Sequence, residues 1–466
     1  MKGRTASRAD TQDTIAAIIT PPGEGGIAAV RVAGSKSRSV LARHFSAKHS
    51  DDAEPHPFLM RLGYFKSLDG EILDEVMAVF MPEGRSYTGL EQIEIFCHGG
   101  RQVVKKILDE ILKGDIRAAE PGEFTRLAFE NGRIDLSRAE AVAEIIAAET
   151  EVSYRASREH LLGNYSEHID MLRTELIGVL SEVEASIDFT EDAPEVGADS
   201  RKLLILVDSL VTKLSALAET YRGGRIISEG YTIVIGGRPN AGKSSLFNLL
   251  LRKERALVTP TPGTTRDYLL ERIDLDGYTV NLIDTAGLRQ GGGKIEREGQ
   301  RLAKGMIAKA DLVIWVVDLS KQNWAKLLTL DIESLGSAHI LLLGNKIDIV
   351  KKAASLSLSA SQKIIGASCK TGIGLSKLHR EIVGRIEKSM PDLTSGLVVT
   401  SARHRQKLKE SIRHLRLART KIEGSVSPEL VAYDLRTAVS SLGEITGKVY
   451  TEQVLGRIFS RFCIGK

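Results

Sequence analysis

The chain has 466 residues, 42% of them apolar and 27% charged, and 64 Lys+Arg against 60 Asp+Glu leave a net charge of +4. At roughly 100–200 residues per domain this length gives two to four domains with real cores. The charge balance excludes a wholesale polycationic surface but leaves room for a local basic face.

No run of about 18 apolar residues occurs, so no transmembrane helix is expected. Cys97, Cys369 and Cys463 are odd in number and far apart, which argues against a disulfide framework and for the reducing cytoplasm. Met1 to Gln12 carries Lys2, Arg4 and Arg8 without an apolar stretch, and reads as a disordered polar leader, with an organellar presequence as the alternative, rather than a secretory signal. From Thr14, the apolar runs 15–19 and 27–32 flank Pro21-Pro22-Gly23-Glu24-Gly25-Gly26, a strand–loop–strand pattern. Residues 76–80 and 92–96 read as further strands and 103–112 as a helix, giving an α+β domain over 1–133.

From Leu136 apolar residues recur at steps of three and four, through Ala141, Ile145 and Ala148 and later Leu172, Leu176, Leu180 and Val183. That spacing predicts long amphipathic helices. Residues 191–197 interrupt them, a helical stretch follows from Arg201 to Arg222, and Gly223-Gly224 reads as a break. Strands and helices then alternate to about Ile386, as a parallel sheet with crossover helices requires. After Met390-Pro391 the pattern is helical to about Phe462. The expected architecture is a Ras-like α/β domain (226–386) inserted into a helical domain (134–225 and 387–466), with four tandem units as the alternative.

The α/β segment carries the chemistry. The strand Tyr231–Ile235 runs into Gly237-Arg-Pro-Asn240-Ala241-Gly242-Lys243-Ser244, a G-x-x-x-x-G-K-[ST] loop leading to the helical Ser245-Leu-Phe-Asn. Such a loop turns backbone N–H groups toward phosphate oxygens at a helix N-terminus. Lys243 would reach the β/γ-phosphates, and the Ser244 hydroxyl would bind Mg²⁺. Asn345-Lys346-Ile347-Asp348 selects the base, because a carboxylate at Asp348 accepts from both the ring N–H and the exocyclic amine of guanine. Ser368-Cys369-Lys370 follows as the loop behind the base. Asp284-Thr285-Ala286-Gly287 after strand 280–283 is a D-x-x-G switch, and Thr264-Thr265 supplies a switch threonine for the metal. Leu288 stands where a water-orienting Gln or His often follows that switch, so catalysis must draw on another group or a partner. The expected ligand is GTP.

These residues, together with Asp13-Thr14-Ile15, Ser86-Tyr87-Thr88-Gly89, His98-Gly99-Gly100, Pro121-Gly122-Glu123-Phe124-Thr125, Pro260–Asp267 and Phe462-Cys463-Ile464-Gly465-Lys466, resemble the bacterial MnmE (TrmE) family of tRNA-modification GTPases. The likeness covers nearly the whole chain after Gln12. It implies a homodimer built by the N-terminal domains and a heterotetramer with the flavoprotein MnmG. Together these modify C5 of the wobble uridine, position 34, of certain tRNAs. An aminomethyl or carboxymethylaminomethyl group is installed, its carbon drawn from 5,10-methylenetetrahydrofolate or a related folate. It also implies potassium activation, with K⁺ held by Asn240, Thr259, Thr261 and Thr264, of which Asn240, Thr259 and Thr264, together with Thr265, also meet the nucleotide. Mg²⁺ falls to Ser244 and Thr265.

By the same resemblance Glu296 handles the attacking water, with an ordinary solvated helix glutamate as the alternative reading of the residue. Arg31, Glu94, Arg133 and Lys466 match the folate site, and Cys463 the functional cysteine, where an isolated thiol reads as inert surface. Leu90-Glu91 departs from the family's usual pair, and Arg133 replaces a frequent lysine. A stand-alone regulatory or ribosome-assembly GTPase would share every nucleotide motif. It would not explain Cys-Ile-Gly-Lys or the Arg31, Glu94, Arg133 set.

Overall fold

The computed structural model describes residues 13–48, 55–188, 200–253, 255–256, 269–285, 304–335, 339–350, 357–359, 362–390 and 397–466. The chain divides into two compact units, one made of Met1–Ile146, His160–Thr174 and Val439–Lys466, the other of Ala147–Glu159 and Glu175–Ala438.

The first unit is built on a seven-stranded sheet. In chain order its strands are β1 (Thr14–Ile18), β2 (Gly25–Ala33), β3 (Phe45–Ala47), β4 (Arg61–Lys66), β5 (Ile72–Met81), β6 (Gln92–Gly99) and β7 (Ile116–Ala118). Their spatial order is β3-β4-β5-β6-β2-β1-β7. All neighbours are antiparallel except β1 and β7. Alternation in β6 sets the faces: Ile93, Ile95 and Cys97 are buried, while Glu94, Phe96 and His98 point the other way. The helix Arg101–Ile111 closes this core with Val104, Ile107 and Ile111, one per turn. A separate cluster joins Phe129, Leu136 and Ala139 to Leu455, Ile458, Phe459 and Phe462, fastening the last helix, Glu452–Phe459, to the same unit.

The second unit holds an eight-stranded sheet. Its strands are β8 (Tyr231–Gly237), β9 (Arg255–Ala256), β10 (Leu269–Leu275), β11 (Tyr278–Asp284), β12 (Leu312–Asp318), β13 (Ile340–Asn345), β14 (Ser357–Ser359) and β15 (Gln362–Gly366). They lie in the order β14-β15-β13-β12-β8-β11-β10-β9. The five central strands, β15 to β11, are parallel, and β8 is buried along nearly its whole length, as a strand covered on both faces must be. The helix Ser200–Glu219, before the sheet in sequence, packs against Ala402–Glu423, after it. Leu203, Val207, Leu210 and Leu214 of the first and Leu408, Ile412, Leu415 and Ala418 of the second are buried. The α/β domain is therefore inserted into a helical one, and an α+β domain precedes both.

Gly223-Gly224 does not break the chain as its composition suggested. Both glycines are buried inside the helix Tyr221–Glu229, and a Cβ on Gly224 would sit 2.2 Å from the Val399 carbonyl oxygen. The missing side chain serves close backbone packing, not a turn. Among the described residues no helix is long and apolar enough to cross a membrane.

Candidate functional site

The loop after β8 and the N-terminus of the helix Lys243–Lys253 form one wall of a cavity of about 1010 Å³. Pro239, Asn240, Gly242, Lys243, Ser244 and Ser245 line it on this side. Asn345, Lys346, Asp348, Ile349, Ser368, Cys369 and Lys370 line the other. Residues more than 100 positions apart thus share a single space, because β8, β12 and β13 are parallel and deliver their C-terminal ends to one edge of the sheet. The loop closes in left-handed backbone at Asn240 (φ 62°) and Gly242 (φ 102°). At Gly242 a Cβ would also collide with Asn345 Nδ2 at 2.1 Å, so glycine is required twice over.

Asn345 ties the two walls together. Its Nδ2 donates to the Ala241 carbonyl at 2.9 Å, and its Oδ1 accepts from the backbone amides of Lys346 (2.8 Å) and Cys369 (3.0 Å). The side chain is buried, so these bonds form in a low-dielectric setting where an orphaned partner is costly. Lys346, in left-handed backbone, places its ammonium 2.7 Å from Asp318 at the end of β12. Burial alone would push the Asp318 carboxyl up. The Lys346 ammonium and the Ser320 hydroxyl and amide outweigh it and hold the group below its ordinary value. Ser368 is fully buried, its hydroxyl accepting from the Thr371 amide at 3.2 Å and shaping the loop that carries Cys369. Burial pushes the Cys369 thiol up to about 11, so it sits in this wall as a neutral group.

At the phosphate end, Lys243 is buried and its Nζ donates to the Arg238 carbonyl at 3.1 Å, which curls the loop around the ammonium. The Ser244 hydroxyl donates to Asp284 Oδ2 at 2.9 Å, bringing the hydroxyl and carboxylate of two separate motifs side by side. Two hard oxygens at one point fit Mg²⁺. Of the described residues expected at the nucleotide, Ala241, Asp284 and Thr285 are not among those lining the cavity. Thr285 is buried with its hydroxyl donating to the Ile235 carbonyl at 2.9 Å, and the Ala241 side chain is buried. Thr259, Thr261, Thr264, Thr265, Ala286, Gly287 and Glu296 lie outside the described residues.

In the first unit, Arg31 of β2 and Glu94 of β6 are cross-strand partners, and their side chains pair with Arg31 Nε 2.9 Å and Nη2 2.8 Å from Glu94 Oε1. The guanidinium lies over the rings of both Tyr87 (5.2 Å to the centroid) and Phe124 (5.5 Å). Arg133 instead donates to the Gly84 carbonyl at 3.0 Å, and no ion pair among the described residues joins it or Lys466 to Arg31 and Glu94. Cys463 is exposed. Its carbonyl accepts from the Gly122 amide at 3.4 Å, while Gly465 packs against the Ile18 carbonyl, so residues 462–466 are seated on the unit that carries Arg31, Glu94 and Arg133.

Two family models match: the GTP-binding protein TrmE N-terminus over residues 14–133 and the MnmE helical domain over 136–463. A tRNA modification GTPase MnmE of Moorella thermoacetica is 42% identical over 470 residues, covering 97% of this chain and 99% of that one. The same-named protein of Syntrophus aciditrophicus is 40% identical over 461 residues, covering 98% and 100%. The chain belongs to the MnmE family of tRNA modification GTPases. Among solved structures, the G domain of the T. maritima FeoB iron transporter is 30% identical over 33% of this chain and 98% of that one, with a TM-score of 0.27.

Within this MnmE-family site, motif reading missed Pro239 and Ile349, which line the cavity, and Asp318, which pairs with Lys346. Asp318 was recoverable, since an acid ending the apolar run Leu312–Val317 falls at the carboxyl edge of a parallel sheet. Ile349 follows directly on Asp348 and carries no signal of its own.

Proposed function

We propose that this chain is a potassium-activated GTPase that, with a flavoprotein partner, installs an aminomethyl or carboxymethylaminomethyl group on C5 of wobble uridine 34 in certain tRNAs. The observation that carries the reading is the cavity whose two walls hold Lys243 and Ser244 on one side and Asp348 on the other, tied through Asn345, in a chain of the MnmE family. The P-loop wall takes the phosphates: backbone N–H groups and Lys243 meet the anion, and Ser245 follows in the first helical turn. Asp348 reads the base, with Lys346 and the Ser368-Cys369-Lys370 loop around it. Ser244 and Thr265 would hold Mg²⁺, which supplies charge neutralisation at the β- and γ-phosphates. Asn240, Thr259, Thr261 and Thr264 would surround K⁺, for which the neutral amide oxygen of Asn240 is a suitable ligand. Glu296 would position the attacking water in place of the glutamine that Leu288 is not.

The first unit would carry the modification chemistry. Arg31, Glu94, Arg133 and Lys466 would hold 5,10-methylenetetrahydrofolate or a related folate, which supplies the one-carbon unit, and Cys463 would act as nucleophile or proton carrier. The supporting geometry is the Arg31–Glu94 pair and the seating of residues 462–466 on the same unit. The working form is read as a cytoplasmic homodimer that joins MnmG in a heterotetramer. Its segments are 1–133, 134–225, 226–386 and 387–466. The test is mass analysis of tRNA nucleosides from cells lacking the gene. Loss of the modified uridine, restored by the intact gene, is expected; an unchanged nucleoside profile would make the chain a GTPase outside this chemistry.

A further inference from the structure

The helix Ala402–Glu423 carries eight lysines and arginines, and most of them fall into two groups. Lys407 pairs with Glu410 at 3.0 Å, Arg419 with Asp208 at 2.6 Å and Lys421 with Asp434 at 2.6 Å, so these flanks are neutralised. On the outward stripe stand Arg405, Lys409, Arg413 and Arg416, all exposed and spaced four, four and three residues apart. None of the four makes an ion pair with an acid among the described residues. Arg405 lies over the Tyr221 ring at 4.7 Å and Arg413 donates to His414 Nε2 at 2.8 Å, interactions that orient a cation without cancelling its charge. At 1.5 Å rise per residue the stripe runs for about 16 Å. Like charges at these spacings repel within a helix, so the arrangement weakens the isolated element. A polyanion laid along it would remove the repulsion.

We propose that this stripe binds the phosphate backbone of the tRNA, an inference that rests on the tRNA reading above and adds where on this chain the tRNA is held. A regular row of exposed, unneutralised cations fits sequence-independent backbone binding, which positions an RNA rather than reading its bases. Releasing the counterions of each phosphate met makes such binding steeply salt-dependent.

The test uses the full chain, an unmodified tRNA transcript and the double variant Lys409→Gln/Arg416→Gln, since those two side chains make no hydrogen bond, ion pair or ring contact among the described residues. The slope of log affinity against log KCl should become shallower by about 1.5, at roughly 0.7–0.9 for each phosphate no longer met by a cation. Affinity at 0.1 M KCl should fall at least about ten-fold, with GTP hydrolysis unchanged. A control of equal net charge, Lys326→Gln/Lys377→Gln, should bind as the unsubstituted chain does. Unchanged affinity and slope in the stripe variant would overturn the proposal while leaving the tRNA reading intact. Failure of the unsubstituted chain to bind the transcript would overturn the proposal, and the tRNA reading would then stand or fall on the nucleoside analysis alone. Stripe-dependent binding to phosphatidylglycerol vesicles, with tRNA affinity unaffected, would overturn the proposal in favour of a membrane surface.

Discussion

Replacing Asn345 by Asp tests how the nucleotide cavity is held together. The change preserves size and leaves an oxygen facing the amides of Lys346 and Cys369, but it replaces the Nδ2 donor to Ala241 with a second acceptor. The Ala241 carbonyl then loses its bond at a buried position and meets an oxygen across what was a 2.9 Å hydrogen bond. An orphaned buried group costs roughly 1–3 kcal/mol, and the repulsion adds to it, so about 2–4 kcal/mol in all is expected. At 1.36 kcal/mol per decade, that is roughly a 30- to 1,000-fold loss if it falls wholly on nucleotide affinity. The bond links two loops of the protein itself, so part of the cost will appear as a lower melting temperature. Titration with a fluorescent GDP analogue, beside thermal unfolding of the unliganded protein, separates the two shares. Affinity within three-fold of the parent together with an unchanged melting temperature would refute the claim that this side chain joins the two walls.

Asp348→Asn should weaken GTP binding and admit xanthosine nucleotides, whose extra carbonyl pairs with an amide; equal GTP affinity in a competition assay would remove Asp348 from base selection. Glu296→Ala should leave nucleotide affinity nearly intact and lower turnover by roughly 10²–10⁴-fold, whereas a loss confined to KM would make it a binding residue. Lys346→Met removes the cation that holds the Asp318 carboxyl below its ordinary value. Because the folded group binds its proton less readily than the unfolded one, the pair's contribution is full above about pH 4 and fades at lower pH. Denaturant midpoints of parent and variant should therefore differ most near neutrality and converge in acid, and a gap that widened below pH 4 would reverse that sign. Cys463→Ser should retain GTP hydrolysis and lose the wobble-uridine modification in cells, and normal levels of modified tRNA would remove Cys463 from the chemistry.

Much of the nucleotide site was legible because its parts are local in sequence. A phosphate loop needs consecutive residues between a strand and a helix, and Gly237–Ser244 states that in eight letters. The proposed base-selecting motif is likewise a run of consecutive residues, Asn345–Asp348. What the motifs could not convey is which side chain of a motif faces the ligand. Asn345 spends all three of its described bonds on protein partners, and Thr285 caps the Ile235 carbonyl from inside the D-x-x-G segment. Gly223-Gly224 misled for a related reason. Composition marks glycine as a breaker, but whether it opens a turn or admits a neighbouring backbone depends on residues 397–400, which lie far along the chain.

The first unit presents the opposite case, a proposed site with no local motif. Arg31 and Glu94 lie 63 positions apart and meet only because β2 and β6 pair in that register. Their pairing constrains what a ligand can do there. Glu94 Oε1 already accepts from Arg31 Nε, from Arg31 Nη2 and from Gln92 Nε2 at 3.1 Å, so its lone pairs are committed. Oε2 has no partner among the described residues. A half-buried carboxylate held by one oxygen, with the other left to accept, would suit the N–H donors of the pterin proposed for this site. In the proposed folate site Arg31 would then be a positioning residue as much as a binding one. The rings of Tyr87 and Phe124 fix its guanidinium, and the guanidinium fixes the acid. Lysine at position 31 would keep the charge but lose both the fork and the stacking, so charge alone does not account for an arginine at this point of the sheet.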